Sequence, residues 1–305
     1  MPFRRRSKSS AIRAVSVALL LSSASCDSGT GYSATPPDTL GGDRPARVYA
    51  PSDYDPDVAY PLVLLLHGYG ASGAVQDLYF GATNRLDTKQ YILVTPDGVK
   101  DPTGMRYWNA GECCLFGPNP PDDVAYLTSL VDEVVRHYHV DPAKVYVLGH
   151  SNGGAMAMKL ACVASDRFTA IASLAGTAPL QEADCPAAVQ PISVLAMHGT
   201  ADDVVLYTGS TVPRSPLLSA YPSAPEAARR FAARLGCDTN ASTSGAAMDL
   251  DADQAGAETT STLYSTGCAT GTTTELWTIA GAGHLPAFQP DATDRILDWL
   301  FARAR

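Results

Sequence analysis

The sequence lacks a hydrophobic run long enough to cross a bilayer. The apolar stretch at residues 14–21 is far shorter than the roughly 20 residues that a membrane-spanning helix needs, and no other segment reaches that length. Basic residues are also scarce. Five of the 22 lysines and arginines precede residue 26, and the other 17 face all 31 acidic residues, a balance of −14. Because nucleic acids and anionic lipid surfaces require clustered cations, this deficit argues against binding to either.

The N-terminus has the pattern of a secretory signal peptide, which we predict over residues 1–25. A basic cluster at residues 4–8 precedes the apolar stretch, and small residues follow it up to Cys26. The end of this segment also resembles a bacterial lipoprotein signal, so a lipid anchor at Cys26 and free secretion both stay open. Residues 26–45 are rich in Gly, Ser, Thr and Pro and have no periodicity, which predicts a flexible tether ahead of one domain at 46–305.

The remaining cysteines form an even set in a chain that we expect to be exported, which favours disulfides. They are Cys113, Cys114, Cys162, Cys185, Cys237 and Cys268. The adjacent pair lacks the spacing that lets two thiolates chelate one zinc ion, so a metal site is disfavoured. Cys237 and Cys268 bracket a segment with little to bury, and we predict a bond between them. A bond between neighbouring Cys113 and Cys114 would be strained, so these two are expected to pair with Cys162 and Cys185, in an order that the sequence leaves open.

Short apolar runs alternate with helical patterns along residues 46–305. The predicted strands are 47–50, 61–66, 91–96, 144–148, 168–174, 192–197 and 274–279, and the predicted helices are 123–138, 152–164, 224–235 and 291–303. Most strands are continuously apolar, which is typical of a parallel sheet with helices on both faces. The alternation therefore predicts a doubly wound α/β fold. Two long interruptions, 101–121 and 238–267, are expected to be functional or covalently closed loops.

The turn between the predicted strand at 144–148 and the helix at 152–164 carries a G-x-S-x-G pattern, from Gly149 to Gly153. In this context the pattern indicates a sharp turn that holds a nucleophile, Ser151, exposed above the sheet. A serine hydroxyl needs a base and a third group that orients the base.

The two partners of such a serine follow it in the order acid, then histidine. Asp202 and Asp203 follow the strand at 192–197, and His284 follows the strand at 274–279. These positions lie just past the carboxyl ends of strands, where open α/β sheets place their sites. We predict His284 as the base.

The tetrahedral intermediate that an attacking serine forms also needs donors for its oxyanion. One predicted donor is the backbone N–H of Asn152, directly after the nucleophile. The second is the N–H of Tyr69, with Gly70 as the alternative, in the turn that follows the strand at 61–66. Tyr107 and Trp108, on the first long loop, are expected either to line the acyl site or to pack in the core.

Seven segments together resemble the secreted polyhydroxybutyrate depolymerase-like esterases, a group that includes feruloyl and acetylxylan esterases. These segments are His67-Gly68-Tyr69-Gly70, Pro96-Asp97-Gly98, Trp108-Asn109-Ala110-Gly111 with Cys113-Cys114, Asp122-Asp123-Val124, Gly149-His150-Ser151-Asn152-Gly153, His198-Gly199-Thr200-Ala201-Asp202 and Gly281-Ala282-Gly283-His284. The resemblance implies an α/β-hydrolase fold and selects Asp202 as the acid. The chain departs from the family at Leu285-Pro286, where a tryptophan is common, and at Tyr69, which is frequently a small residue.

The sequence therefore predicts an exported serine ester hydrolase that needs no metal or organic cofactor. Export favours an extracellular ester, such as a polyester or an ester-decorated plant polysaccharide. Two other functions stay open: a peptidase that uses the same three residues, and a non-catalytic surface binding protein that has kept the hydrolase fold.

Overall fold

The computed structural model describes residues 1–2, 31–111, 120–186, 190–214 and 218–305. Residues 3–25 of the predicted signal peptide, and Cys26, lie outside these ranges. The strands are β1 Thr39–Leu40, β2 Ala46–Tyr49, β3 Tyr60–Leu66, β4 Ile92–Thr95, β5 Val99–Lys100, β6 Arg106–Tyr107, β7 Val140–His150, β8 Ala170–Leu174, β9 Ser193–Gly199, β10 Thr243–Ser244, β11 Thr259–Tyr264 and β12 Thr274–Ile279. The α-helices are α1 Gly73–Phe80, α2 Leu86–Lys89, α3 Asp123–His137, α4 Asn152–Val163, α5 Ala224–Arg234 and α6 Ala292–Phe301.

Ten of these strands form one sheet, in the order β1-β2-β4-β3-β7-β8-β9-β12-β11-β10. The six central strands, from β4 to β12, are parallel, and antiparallel strands flank them on both sides. Strands β5 and β6 form a separate hairpin. The carboxyl ends of the parallel strands meet at one edge of the sheet, where open α/β sheets place their ligands.

Each face of the sheet is covered by its own hydrophobic core. Along β3, Leu62, Leu64 and Leu66 pack in the core that includes residues of α3, α4 and α5. The alternating residues Val63 and Leu65 pack in the opposite core, with residues of α1, α2 and α6. Successive side chains of a strand point to opposite faces, so a strand covered on both faces must be apolar at every position. The predicted α/β architecture is confirmed.

Several helices begin at residues that satisfy the free N–H groups of a first turn. Ser72, Asp122 and Ser223 each accept a hydrogen bond from the backbone N–H three residues further on, at the starts of α1, α3 and α5. Among the described residues, no helix combines the length and the apolar character that a membrane span requires.

Two disulfides join described residues. Cys237 pairs with Cys268, as predicted. Cys162 pairs with Cys185, so the prediction that these two bind Cys113 and Cys114 is wrong. The reason is local: Cys162 lies in the last turn of α4, Cys185 lies in the connection that follows β8, and their Cα atoms are 4.7 Å apart. Cys113 and Cys114 lie outside the described residues.

The flexible tether predicted at 26–45 is wrong for its described part, from residue 31. Strand β1 pairs with β2, Tyr32 stacks on His139, and the Tyr138 hydroxyl donates to the Pro37 carbonyl. Composition alone did not reveal these contacts, because backbone pairing and aromatic stacking use residues that also suit a loop.

The predicted loop at 238–267 is also partly wrong, because it contains β10 and β11. Strand β11 pairs with β12 along its whole length. Its sequence is mostly Thr and Ser with some exposed positions, so it lacks the continuous apolar run of the central strands. The sequence also offered no prediction of helix α1. This helix is short, and its apolar residues Val75 and Leu78 are exposed, so its apolar positions do not mark a buried face.

Candidate active site

Ser151 lies at the point where β7 turns into α4. Its backbone has a φ of 54°, a left-handed conformation that non-glycine residues rarely adopt. The glycines around it are required by close packing. A Cβ atom at Gly149 would lie 2.2 Å from the Gly153 carbonyl oxygen, and one at Gly153 would lie 2.3 Å from the Leu66 carbonyl oxygen. The turn is therefore held against the end of β3, with a strained serine at its apex, as the sequence pattern predicts.

Three side chains predicted from separate parts of the sequence form one chain of hydrogen bonds. His284 Nε2 lies 2.8 Å from Ser151 Oγ, and His284 Nδ1 lies 2.8 Å from Asp202 Oδ2. A carboxylate can only accept, so Nδ1 carries the proton of a neutral imidazole and Nε2 is left to accept from the serine hydroxyl. This geometry is the arrangement that activates a serine nucleophile.

Asp202 and His284 meet because their strands are parallel neighbours. Strand β9 pairs with β12, and the two chains leave the sheet side by side. The loops that follow are joined by hydrogen bonds from Ala201 N–H to the Ala282 carbonyl and from Gly281 N–H to Thr200 Oγ1. Asp202 and His284 are thus carried by one cross-linked pair of loops.

The environment of Asp202 keeps its carboxylate ionised. Burial opposes the charge, but hydrogen bonds from His198 and His284 outweigh it, and the pKa of Asp202 lies well below its ordinary value. Oδ1 also accepts the backbone N–H groups of Val204 and Val205, at 2.9 and 2.8 Å. Asp203, the alternative acid, is exposed.

His150 supports the backbone of His284. Its Nε2 lies 3.0 Å from the His284 carbonyl oxygen, to which it donates, and the two rings are 5.0 Å apart. Tyr79 packs against His150 and donates its hydroxyl to the Pro286 carbonyl, two residues beyond His284. Burial, followed by the nearby His284 ring, lowers the pKa of His150 to about 4. His150 is therefore a neutral donor at the pH values where most proteins are stable.

The turn predicted to supply an oxyanion donor lies against Ser151. A Cβ atom at Gly68 would lie 3.4 Å from Ser151 Cβ. Two N–H groups of this turn are engaged inside the protein: Gly68 donates to Gln76 Oε1, and Gly70, the alternative donor, donates to the Arg106 carbonyl at 2.8 Å. Tyr69 lies between them, with its side chain 36% exposed.

Asn152, the other predicted donor, is the first residue of α4. The first N–H groups of a helix have no partner within it, so they can face an anion at the helix start. The Asn152 side chain has a separate partner. Its Oδ1 accepts the Trp108 N–H at 2.7 Å, and its Nδ2 donates to the Trp108 carbonyl at 2.9 Å.

The structure corrects the substrate-binding prediction for Tyr107 and Trp108. Tyr107 is 3% exposed and Trp108 is fully buried. The Trp108 indole packs against the His67 ring and donates Nε1–H to the His67 carbonyl. In this conformation the two side chains cannot line an acyl site, and the core-packing alternative applies.

A cavity of about 330 Å³ lies above Ser151. Its lining is mainly apolar and aromatic, and comprises Gly68, Tyr69, Ala71, Val75, Gln76, Tyr79, His150, Ser151, His284 and Leu285. This composition suits an organic substrate with few charges. Within the described part of the chain, no group of three or more His, Cys, Asp and Glu side chains is arranged to hold a metal ion.

Sequence reasoning missed the contacts that hold the site residues in place. His198 donates Nε2–H to the Val205 carbonyl at 2.7 Å, and the same atom lies 3.3 Å from Asp202 Oδ2. The role of His150 was missed because its partner is a backbone carbonyl 134 residues away. The only sequence signal for either histidine is its position beside a motif residue.

Comparison with known proteins places the chain in a family. The Esterase family model matches residues 38–224, more than half of the chain, so the chain belongs to this family of α/β-hydrolases. The match includes Ser151 and Asp202 and ends before His284. Solved structures agree on the fold: the acetyl xylan esterase from Aspergillus awamori superposes with a TM-score of 0.60 at 15% identity, covering 87% of this chain and 98% of that one.

Several relatives in sequence are named as feruloyl or acetylxylan esterases. Feruloyl esterase B of Piromyces equi is 30% identical over 169 residues, which cover 54% of this chain and 30% of the relative. The bifunctional acetylxylan esterase/xylanase XynS20E of Neocallimastix patriciarum is 28% identical over 167 residues, covering 55% and 22%. The chain thus matches under a third of the length of each of these two relatives.

Proposed function

We propose that the protein hydrolyses carboxylic esters, with Ser151 as nucleophile, His284 as general base and acid, and Asp202 as the group that fixes the imidazole. The observation that carries the proposal is the unbroken chain of two 2.8 Å hydrogen bonds from Ser151 through His284 to Asp202. The family match and the apolar cavity above Ser151 support the same proposal.

The reaction proceeds in two halves. Ser151 Oγ attacks the ester carbonyl carbon while its proton passes to His284 Nε2, and the carbonyl oxygen takes the negative charge. The intermediate collapses to an acyl-serine, and the leaving alcohol takes the proton from His284. Water then attacks the acyl group by the same route and releases the acid. Asp202 stays ionised throughout and stabilises the imidazolium that forms twice.

The oxyanion in both halves is bound by the backbone N–H groups of Asn152 and Tyr69. Asn152 is favoured because it follows the nucleophile at a helix N-terminus, and Tyr69 because its turn contacts Ser151 and lines the cavity. Donors at these two places face the carbonyl oxygen of an ester bound to Ser151.

The substrate that we propose is an ester on an extracellular polymer, either a polyester or a feruloyl or acetyl ester of a plant polysaccharide. The names of the relatives favour the polysaccharide esters. Export through the predicted signal peptide, with or without a lipid on Cys26, is part of this proposal. The two disulfides support it, because such bonds persist in oxidising compartments.

The proposal is tested by assaying the purified protein on p-nitrophenyl acetate, p-nitrophenyl butyrate, methyl ferulate and a peptide p-nitroanilide. We expect acid release from esters and none from the peptide. Ser151→Ala should abolish it, whereas Ser129→Ala, at an exposed serine of α3 remote from the site, should not. Equal activity in Ser151→Ala and the wild type would refute the assignment.

A further inference from the structure

The hairpin β5–β6 is bound to the turn that carries Tyr69. Just before the hairpin, Gly98 N–H donates to His67 Nε2 at 2.9 Å, and in its second strand the Arg106 carbonyl accepts the Gly70 N–H at 2.8 Å. His67 Nδ1 in turn donates to the Gly68 carbonyl at 2.8 Å. The backbone on both sides of Tyr69 is therefore tied to the hairpin.

The tip of the hairpin reaches the Tyr69 side chain as well. The Tyr69 hydroxyl donates to Asp101 Oδ2 at 2.6 Å. The other carboxylate oxygen of Asp101 accepts the N–H groups of Thr103 and Met105, at 2.8 and 3.0 Å, and the Thr103 hydroxyl at 2.7 Å. Asp101 is only 8% exposed, so these contacts occupy a largely buried carboxylate. A hydrogen bond to an ionised acceptor is about twice as strong as a neutral one.

Space around the turn is limited by the same hairpin. Gly70 has a φ of 77°, and a Cβ atom there would lie 2.4 Å from the Met105 side chain. The turn is thus confined between the nucleophile, which Gly68 contacts, and the tip of the hairpin. Tyr69 is the residue of this turn whose side chain reaches from the cavity to the hairpin tip.

We propose that Asp101 is a positioning residue, which holds the phenol of Tyr69 and thereby fixes the Tyr69 backbone N–H toward the oxyanion. This inference rests on the proposed esterase function. It gives a role to the long side chain of Tyr69, which anchors the oxyanion turn from a distance.

The consequence is a loss specific to the transition state. An oxyanion donor binds the developing charge more strongly than the ground-state carbonyl, so a misplaced donor lowers kcat and leaves KM nearly unchanged. Removing a donor outright lowers kcat about 10²- to 10³-fold. Loosening a donor without removing it should have a smaller effect, and we expect kcat to fall about 10-fold.

The test compares Tyr69→Phe, Asp101→Asn and the double variant with the wild type on p-nitrophenyl butyrate. Tyr69→Phe keeps the ring in the cavity and removes only the hydrogen bond. Asp101→Asn retains an oxygen for the Thr103 and Met105 donors and places an uncharged amide group opposite the phenol. Matched controls are Tyr138→Phe, whose hydroxyl donates to Pro37 far from the site, and Asp141→Asn, whose carboxylate accepts the N–H two residues on.

We expect Tyr69→Phe to lower kcat about 10-fold with KM within about twofold of the wild type, and the melting temperature to change no more than in Tyr138→Phe. Affinity for an alkylboronic acid, whose adduct with Ser151 mimics the tetrahedral intermediate, should fall by the same factor. The kcat of the double variant should be no lower than that of Tyr69→Phe alone, because both substitutions act on the same hydrogen bond between Tyr69 and Asp101.

Three outcomes would overturn the inference. They are an unchanged kcat in Tyr69→Phe, losses that multiply in the double variant, and a lower melting temperature with full kcat per titrated active site. The last result would mean that the hydrogen bond between Tyr69 and Asp101 stabilises the fold and has no effect on catalysis. A wild-type protein that hydrolyses no ester would instead refute the proposed function, so the two failures are distinguishable.

Discussion

Acidification should destabilise the protein through buried histidines, and His150 is the one for which the effect can be worked out. His150 is 6% exposed, and burial together with the adjacent His284 ring lowers its pKa from 6.5 to about 4. In the unfolded chain the imidazole takes up a proton below about pH 6.5, whereas in the folded protein it does so only near pH 4. The contribution of this group to stability is therefore complete above pH 6.5 and is lost as the pH falls from 6.5 to 4.

The size of the loss follows from the two pKa values. Each pKa unit corresponds to about 1.4 kcal/mol, so the full difference is about 3 kcal/mol. The linkage relation predicts that about 2 kcal/mol of this stability is lost between pH 7 and pH 5. Protonation of carboxylates reduces the stability of the fold only at lower pH. Hydrogen bonds from Tyr69, Thr103 and Met105 hold the pKa of Asp101 at about 2. Bonds from Arg229 and Arg230 do the same for Glu226, so the stability that these carboxylates contribute is lost only below about pH 4.5.

The assay is urea denaturation at pH 7 and pH 5 of the wild type and of His150→Gln, in which the amide nitrogen can still donate to the His284 carbonyl. The free energy of unfolding should fall by about 2 kcal/mol less in the variant than in the wild type over this interval. His137→Gln, at an exposed histidine, is the control for replacing an imidazole. An identical fall in His150→Gln and the wild type would refute the reasoning, because it would mean that His150 titrates alike in both states.

Further predictions concern the acid, a disulfide and a glycine of the site. Asp202→Asn should lower kcat about 10³- to 10⁴-fold in steady-state assays, because an amide favours the wrong imidazole tautomer, whereas exposed Asp203→Asn should stay near the wild type; the reverse order would reassign the acid. Replacing Cys237 and Cys268 with Ser should lower the free energy of unfolding by up to about 4 kcal/mol, as expected for a 31-residue separation, and an unchanged urea midpoint would contradict this. Gly153→Ala should lower the melting temperature and the activity together, because its Cβ would overlap the Leu66 carbonyl; a fully active variant would show that the turn can yield.

The central sheet could be predicted from the sequence because its strands are covered on both faces. The run at Leu62–Leu66 is apolar at every position, and the structure buries its alternate residues in two different cores. Strand β11 lacked this signal, since an outer strand of Thr and Ser is covered less completely. Periodicity therefore identifies the elements that pack on both sides and misses those at the edges.

The three residues proposed for catalysis could be located because each follows a strand. Ser151, Asp202 and His284 all lie just beyond carboxyl ends of parallel strands, and their order along the chain fits a known pattern. Trp108 shows where this reasoning stops. Its place on a long loop left both acyl-site lining and core packing open, and hydrogen bonds to His67 and Asn152 draw it into the interior.

The disulfides show a second limit of sequence reasoning. The bond from Cys237 to Cys268 was predictable because the two cysteines bracket one segment with little to bury. The bond from Cys162 to Cys185 depends on how the connection after β8 returns to the end of α4, and cysteine spacing carries no information about that path. Contacts made between backbone and distant side chains, such as that of His150, are hidden for the same reason.

The most direct test of the central claim is covalent labelling of the nucleophile. A fluorophosphonate reacts with a serine only when a neighbouring base activates the hydroxyl. Mass spectrometry of the labelled protein should find one adduct per chain, on Ser151, formed in step with the loss of esterase activity and absent from His284→Ala. Labelling at another residue, or equal labelling of Ser151 in His284→Ala, would contradict the proposal that His284 activates Ser151 for ester hydrolysis.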